Sequence, residues 1–328
     1  MKRGASTFPF LLVFIMIAGA IILLFFITFG KDIFSFSDKL SKGTIIKNLD
    51  QQLAAFSLPE NSGNNLIDLG KESKISMECR PYSQNNIFAA NISFLNKNNN
   101  IESTLKSQKL ILAPDILQGK FLKVWTLSWN YPFKIDNLYF FTDERVIFYF
   151  VQDPNFNQGE QEFYDNFPQN MNKVPYSNTQ TFSIKDKKIL VLIDDINTNI
   201  NPYKSRLSNK HNIVLIDKTN NKVKICEPSR CKEWLSLGNT LDYAAIFSKS
   251  IEEYDCIRNY AINQRLSFIS EIYNEKITKL QAKAPVNCDY SQFSRDLNLF
   301  KNNPTQALQE LLINQNRALE LDKCPGVF

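Results

Sequence analysis

Residues 8–29 read FPFLLVFIMIAGAIILLFFITF and contain no charged side chain. Leu, Ile, Val and Phe account for 16 of these 22 residues. A helix of this length spans roughly 33 Å at about 1.5 Å per residue, and the hydrocarbon core of a bilayer is about 30 Å thick. The apolar segment 8–29 therefore predicts a transmembrane helix.

Two alternatives fit this segment less well. A cleaved secretory signal has an apolar region of about 7 to 15 residues followed by a small-x-small site. Here the apolar run is longer, and Gly30-Lys31-Asp32 follows it. A core helix of a globular domain would carry one polar stripe, and the segment has none. We expect a retained membrane anchor.

The flanking charges predict how the anchor is oriented. Lys2 and Arg3 precede it, whereas the acidic and basic residues of 31–42 nearly balance. Lys and Arg are retained on the cytoplasmic side of a membrane helix. We therefore expect a single-pass protein of the cell membrane, with its amino terminus in the cytoplasm and everything after Gly30 outside the cell.

The segment Lys2-Arg3-Gly4-Ala5-Ser6-Thr7-Phe8 combines a short basic head and a Gly with the apolar helix that follows. It resembles the start of archaeal type IV pilins and archaellins. In that family a dedicated peptidase cuts directly after the Gly, and the retained helix packs into a filament. The resemblance covers about the first 30 residues and implies cleavage between Gly4 and Ala5. Pro9 stands where many pilins carry a Glu.

Composition excludes several classes of function. The net charge of +5 is small for 328 residues and is not gathered into a basic stripe, so we expect no nucleic-acid partner. Only 10 Gly are present, and no G-x-G-x-x-G follows any predicted strand, so we expect no nucleotide cofactor. The sequence also lacks H-E-x-x-H, G-x-S-x-G and P-loop motifs, which predicts that the protein is not an enzyme.

All the cysteines follow the anchor: Cys79, Cys226, Cys231, Cys256, Cys288 and Cys324. An even number outside the cell predicts disulfides, because that compartment is oxidising. Zinc is disfavoured, since only Cys226 and Cys231 are close together and His211 is the only His. Sequence alone does not choose among the pairings. Our hypothesis joins Cys288 to Cys324 across a helical hairpin and Cys226 to Cys231 locally, which leaves Cys79 with Cys256.

The residue patterns predict an α+β fold. The predicted parts are a head and anchor (1–30), a stalk and juxtamembrane helix (31–58), a β-rich domain (59–151), a linker loop (152–180) and an α/β domain with C-terminal helices (181–328). The linker is rich in Asn, Gln and Pro and has no sustained period.

Alternating and apolar runs place the strands. In the β-rich domain, residues 135–141 and 145–151 predict a hairpin. Phe121, Trp125 and Trp129 recur on one face of a strand, which favours core over an exposed binding platform for glycans. In the α/β domain, 188–193, 211–216 and 242–247 predict buried strands, and 218–222 predicts a hairpin turn.

Helical periodicity dominates the C-terminal third. Ser250 and Glu253 form a capping box that opens a long helix ending near residue 282. Its apolar seam from Ile262 to Leu280 predicts either packing on the following helices or association between copies. Residues 291–301 and 305–321 predict two shorter helices that fold back as a hairpin.

Candidate sites are few. Asp194, Asp195 and Asp217 follow predicted strands, where ligands of open α/β sheets bind, and they are candidates to ligate a hard cation. An Asp at a strand end also commonly starts a turn. Asn91-Ile92-Ser93 is an N-glycosylation sequon.

These patterns predict a membrane-anchored extracellular protein with a structural, adhesion or surface-assembly role. Its expected partners are the lipid bilayer and other cell-surface proteins or copies of itself. One alternative is a pilin-like filament subunit processed after Gly4. Another is a membrane-tethered enzyme or ligand-binding receptor that uses the sheet of residues 188–250.

Overall fold

The computed structural model describes residues 17–20, 49, 51–56, 63–80, 89–151, 156–176, 187–204, 212–283 and 288–328. The apolar segment 8–29 lies outside these ranges except for residues 17–20, which are helical, and Gly4, Ala5 and His211 also lie outside them. Among the described helices, none is both long and apolar enough to cross a bilayer. The chain separates into two units, Met1–Asp50 and Gln51–Phe328, and the elements named below all belong to the second.

The second unit has an α+β fold, as predicted, with two six-stranded sheets and several helices. The first sheet has the order β3-β2-β1-β5-β6-β4. Its strands are β1 (Gly63–Cys79), β2 (Ala90–Leu95), β3 (Ile101–Ser107), β4 (Leu110–Leu112), β5 (Leu117–Asn130) and β6 (Lys134–Thr142). All its neighbouring pairs are antiparallel except β4 with β6.

The second sheet has the order β12-β11-β10-β9-β7-β8. Its strands are β7 (Val146–Val151), β8 (Lys173–Pro175), β9 (Lys187–Ile193), β10 (Asn212–Asp217), β11 (Lys222–Cys226) and β12 (Cys231–Leu235). The four strands β8, β7, β9 and β10 are parallel, and β11 and β12 extend the sheet as antiparallel hairpins. The predicted turn at 218–222 joins β10 to β11.

The helices that follow β7 are α1 (Gln158–Asn166), α2 (Asn201–Lys204), α3 (Asn239–Phe247), α4 (Ile251–Tyr260), α5 (Ser267–Lys283), α6 (Ser291–Asn302) and α7 (Gln306–Leu321), and residues 51–56 are also helical. A π-helical turn, Ala261–Leu266, connects α4 to α5, so the predicted long helix is continuous. Ser250 caps α4 by accepting a hydrogen bond from the Glu253 amide at 3.2 Å. The capping box is incomplete, because the Glu253 carboxylate accepts from the Lys249 amide at 2.7 Å instead of from Ser250.

The predicted hairpin of residues 135–141 and 145–151 is wrong, because β6 and β7 lie in different sheets. Asp143 fixes the corner between them. Its buried carboxylate accepts hydrogen bonds from the Arg145 amide at 2.8 Å and from the Gln118 amide at 2.7 Å, and it pairs with the Arg145 guanidinium at 2.6 Å. These bonds hold the chain in a turn that sends β7 away from β6.

The predicted linker, 152–180, also differs from the structure. It contains α1, the edge strand β8 and the 3-10 turn Gln169–Met171. Asn157 and Glu160 form a reciprocal capping box at the start of α1, and this helix buries Phe163 and Tyr164 in the core. The capping box is a local signal that the Asn-rich composition obscured.

Residues 242–247, predicted as a strand, belong to α3. All eight residues from Thr240 to Phe247 are buried. Phe247 lies 5.0 Å from Phe140 of the first sheet and 4.8 Å from Phe148 of the second, measured between ring centroids. The helix is therefore sandwiched between the two sheets. A short run that is apolar all round fits a buried helix as well as a buried strand.

One hydrophobic core contains residues of both sheets and of the C-terminal helices. The predicted β-rich and α/β domains therefore share a core. Successive residues of β9 alternate between this core, which takes Val191, and a second core on the opposite face, which takes Leu190 and Leu192. Burial on both faces explains why β9 reads as a continuous apolar run.

The aromatic residues of β5 only partly follow the prediction. Trp125 and Trp129 are buried, but Phe121 is 45 % exposed. β5 is 14 residues long, and its first half pairs with β1 beyond the edge of the shared core. The same alternating face therefore changes from exposed to buried along one strand.

The seam of the long helix packs inward. Leu266 and Ile277 are buried in the shared core, and Ile262, Ile269, Tyr273 and Leu280 pack against it. Helices α6 and α7 follow as the predicted hairpin.

Candidate functional site

The three predicted acidic candidates form turns. The Asp217 carboxylate accepts hydrogen bonds from the Asn220 amide at 2.7 Å, from Asn220 Nδ2 at 2.8 Å and from the Ile196 amide at 3.1 Å. Burial raises the pKa of Asp217, but these bonds outweigh it and hold the pKa below its ordinary value. Asp194 and Asp195 accept from the amides of Asp195 and Asn197, respectively. Within the described ranges, no three potential metal ligands come together.

The predicted disulfides are confirmed. Cys79 bonds to Cys256, Cys226 to Cys231, and Cys288 to Cys324. The first bridge ties the end of β1 to α4, the second closes the hairpin between β11 and β12, and the third joins the ends of the α6–α7 hairpin. The bridges therefore fasten the first sheet to the helical layer and the chain end to the core.

The glycosylation candidate Asn91 lies inside the first sheet. Its strand, β2, pairs with β1 on one side and with β3 on the other. The Asn91 side-chain oxygen is buried, and Ser93 of the same sequon hydrogen-bonds to Thr104 at 3.1 Å. The Ser93 side chain is thus held by a cross-strand bond, and the Asn91 side chain is half-buried.

A polar cluster that the sequence did not reveal surrounds Asp242, in the first turn of α3. Asp242 is fully buried. Its Oδ2 accepts from Lys218 Nζ at 2.7 Å and from Ser236 Oγ at 2.8 Å. Lys218 Nζ also donates to Asn239 Oδ1 at 2.7 Å. The Lys218 ammonium thus compensates the charge of a carboxylate that would otherwise be costly to bury.

Two tyrosines and an arginine complete the cluster. Tyr131 and Tyr254 are 3 % and 0 % exposed, and Arg258 lies one turn beyond Tyr254 on α4. We call Tyr131, Asp242, Tyr254 and Arg258 the Asp242 cluster. Neither tyrosine belongs to any motif, because the two lie on separate elements that only the fold brings together.

Residues 234–238 contact every member of the Asp242 cluster. The Trp234 and Tyr254 rings are 4.7 Å apart, and Arg258 Nη2 donates to the Leu235 carbonyl at 3.4 Å. Ser236 bonds to Asp242. A Cβ on Gly238 would lie 3.6 Å from Tyr131 Cδ2. Residues 234–238 therefore pack against all four residues of the Asp242 cluster.

The electrostatics of the cluster agree with this geometry. Burial raises the pKa of Tyr131 to about 12, with a further upward contribution from Asp242 and a downward one from Arg258. Burial and then Asp242 likewise raise the pKa of Tyr254. Both phenols are therefore neutral hydrogen-bond donors at physiological pH.

The strand predicted at residues 242–247 gives no indication of a buried polar cluster at Asp242. Gly238-Asn239-Thr240, followed by an acidic residue in the first turn, is a helix-start signal that would have found α3. The two phenols can donate hydrogen bonds, and the free oxygen of the Asp242 carboxylate can accept one. No protein family, curated protein or solved structure matches the chain.

Proposed function

We propose that the chain is a single-pass protein of the cell membrane, with its amino terminus in the cytoplasm and a disulfide-bonded domain outside. Its role is structural or adhesive at the cell surface, without catalysis. The observation that carries the proposal is the apolar segment 8–29, which is long enough to span a bilayer and carries no charge.

The three disulfides support the extracellular location. Bridges of this kind form and persist in oxidising compartments and are rare in the cytosol. All six cysteines follow the apolar segment in the sequence and are paired. This pairing matches a domain that is exported and then oxidised.

Membrane fractionation of the full chain tests the anchor. We expect it in the membrane pellet after alkaline carbonate washing, with release by detergent. A matched variant, Ile22→Lys with Leu23→Lys, places two charges within the apolar segment and should shift the chain to the soluble fraction. Recovery of the unaltered chain in the soluble fraction without detergent would overturn the proposal.

Protease treatment of whole cells tests the orientation. The domain should be digested in intact cells while a cytoplasmic marker survives. Protection of the domain until the cells are lysed would contradict the extracellular location.

The Gly4-Ala5 junction favours a second candidate, a pilin-like filament subunit. Amino-terminal sequencing of the native protein separates the two. A first residue of Ala5 supports the filament subunit, whereas an intact or Met-trimmed head supports the plain anchor.

A further inference from the structure

We propose that the Asp242 cluster is an internal water-binding site, in which ordered water bridges the buried carboxylate to the phenols and the guanidinium. The site ties α3 and α4 to Tyr131, which follows β5 in the first sheet. The inference concerns the folded domain and is independent of the proposed membrane role.

Unpaired polar atoms concentrate in this cluster. The buried side-chain atoms that lack a hydrogen-bond partner among the described residues number twelve. Four of them belong to the cluster: Asp242 Oδ1, Tyr131 Oη, Tyr254 Oη and Arg258 Nε. A buried donor or acceptor that is left unpaired has lost its hydrogen bonds to water without replacement, which destabilises the fold. Four such atoms in one neighbourhood indicate a shared partner rather than separate defects.

The four groups lie along one short segment of the chain. Residues 234–238 touch Tyr254, Arg258, Asp242 and Tyr131 in turn, within five consecutive residues. Asp242 is also tied to Gly238, because its amide donates to the Gly238 carbonyl at 3.2 Å. The unpaired atoms therefore border the same short segment from different elements.

The chemistry selects a neutral ligand. The two phenols and Arg258 Nε–H are donors, whereas Asp242 Oδ1 is an acceptor. Water satisfies both kinds of group, and buried water typically makes about three hydrogen bonds. A cation would be repelled by Lys218 and Arg258, and an anion without a proton has no donor for Asp242 Oδ1, so a neutral ligand that both donates and accepts fits the four groups best.

Tyr254→Phe tests the proposal, because it removes one hydroxyl and keeps the ring that packs on Trp234. If water bridges this hydroxyl to Asp242, the equilibrium constant for unfolding should rise about five- to tenfold. An unpaired hydroxyl in a dry interior predicts the opposite, since its removal relieves a desolvation cost. An unchanged or smaller unfolding constant would overturn the proposal.

Tyr243→Phe is the matched control. Tyr243 is buried nearby, but its hydroxyl donates directly to the Phe163 carbonyl at 2.7 Å. Tyr243→Phe therefore measures how much stability is lost when one hydrogen-bonded hydroxyl is removed from this core. Tyr254→Phe should shift the unfolding constant in the same direction.

A crystal structure of the full chain in detergent, at a resolution that shows ordered water, provides the second readout. We expect density within 3.5 Å of Asp242 Oδ1 and of at least one of the two phenol oxygens. Tyr254→Phe should weaken or move that density. The absence of electron density for water beside Asp242 Oδ1 in the unaltered protein would refute the site, even if Tyr254→Phe raised the unfolding constant as expected.

Discussion

Asn316 Oδ1 accepts a hydrogen bond from the backbone amide of Val327 at 2.6 Å. The same oxygen accepts from the Phe328 amide at 3.1 Å, and Asn316 Nδ2 donates to the Phe328 carbonyl at 3.0 Å. Lys276 Nζ donates to the Val327 carbonyl at 2.6 Å. One side chain of α7 therefore satisfies three backbone groups of the last two residues and fastens them to the helical layer.

Asn316→Ala should destabilise the domain by about 1 to 3 kcal/mol, because it leaves the buried Val327 amide unpaired. Denaturant unfolding measures the loss, and amide exchange at Val327 and Phe328 should accelerate. Asn302→Ala is the control. Its Nδ2 donates to the Asn298 carbonyl on the exposed side of α6, so its effect should stay within about 0.5 kcal/mol. Equal effects of the two variants would contradict the fastening role of Asn316.

The three disulfides should differ in their contribution to stability. They close loops with sequence separations of 177, 36 and 5 residues for Cys79–Cys256, Cys288–Cys324 and Cys226–Cys231, respectively. Loop-closure entropy then predicts losses of ~5, ~4 and ~2 kcal/mol when each pair is replaced by Ser.

Urea unfolding of the three double Cys→Ser variants under oxidising conditions checks this order. Fully reduced protein provides the lower limit of stability. A cost for the Cys226–Cys231 pair as large as that for Cys79–Cys256 would reject the entropic ranking.

Gly238→Ala should cost about 1 to 3 kcal/mol, because Gly238 has φ +96° and ψ 159°, a conformation that is essentially restricted to glycine. The added Cβ meets only ordinary contacts, so backbone strain is the main term. Gly159→Ala in the first turn of α1 is the matched control and should gain up to roughly 1 kcal/mol. Thermal or urea unfolding measures the stability of both variants. An unchanged stability of Gly238→Ala would disprove the backbone strain.

Lys173 should make stability depend on pH. Lys173 is 7 % exposed, and its Nζ donates to the Tyr164 carbonyl and, at 3.3 Å, to the Phe167 carbonyl. Burial lowers the pKa of Lys173 to about 8, and the nearby Asp165 acts in the opposite direction. Between pH 8 and the unfolded value of 10.5, the unfolded state binds more protons at this residue. The free energy of unfolding therefore gains a contribution that rises with pH across this window.

Lys173→Met should remove that contribution, as measured by urea unfolding at closely spaced pH values. Lys279→Met, at an exposed position of α5, should leave the profile unchanged. If the profiles of Lys173→Met and the unaltered protein coincide from pH 8 to 10.5, the lowered pKa is wrong.

Asn91 should carry no glycan in the native protein. Its side-chain oxygen is buried, Ser93 is bonded to Thr104, and β2 is paired on both sides. Modification of the folded domain would require this part of β2 to leave the sheet. Peptide mass mapping of the native protein should return the unmodified Asn91 peptide, and Asn91→Gln should not change the mobility of the chain. A glycan mass on this peptide would mean that modification precedes folding.

Local patterns determined much of the fold. The Ser250 cap, the long helix, the β10–β11 turn and the terminal helical hairpin all depend on contacts between residues close in sequence, which periodicity and capping residues encode. The disulfide pairing was a hypothesis that the structure confirmed, because the sequence alone does not choose among the pairings.

Tertiary contacts decided the rest. Residues 242–247 form a helix that both sheets bury on all sides. An apolar run has no periodicity that distinguishes a buried helix from a buried strand, so the sequence did not show which of the two forms here. Asp143 holds the corner that directs β7 into the second sheet, through bonds to the nearby Arg145 and to Gln118, which lies 25 residues away. The Asp242 cluster likewise joins Tyr131 to Tyr254 across more than a hundred residues, and such long-range juxtapositions depend on packing that no local pattern records.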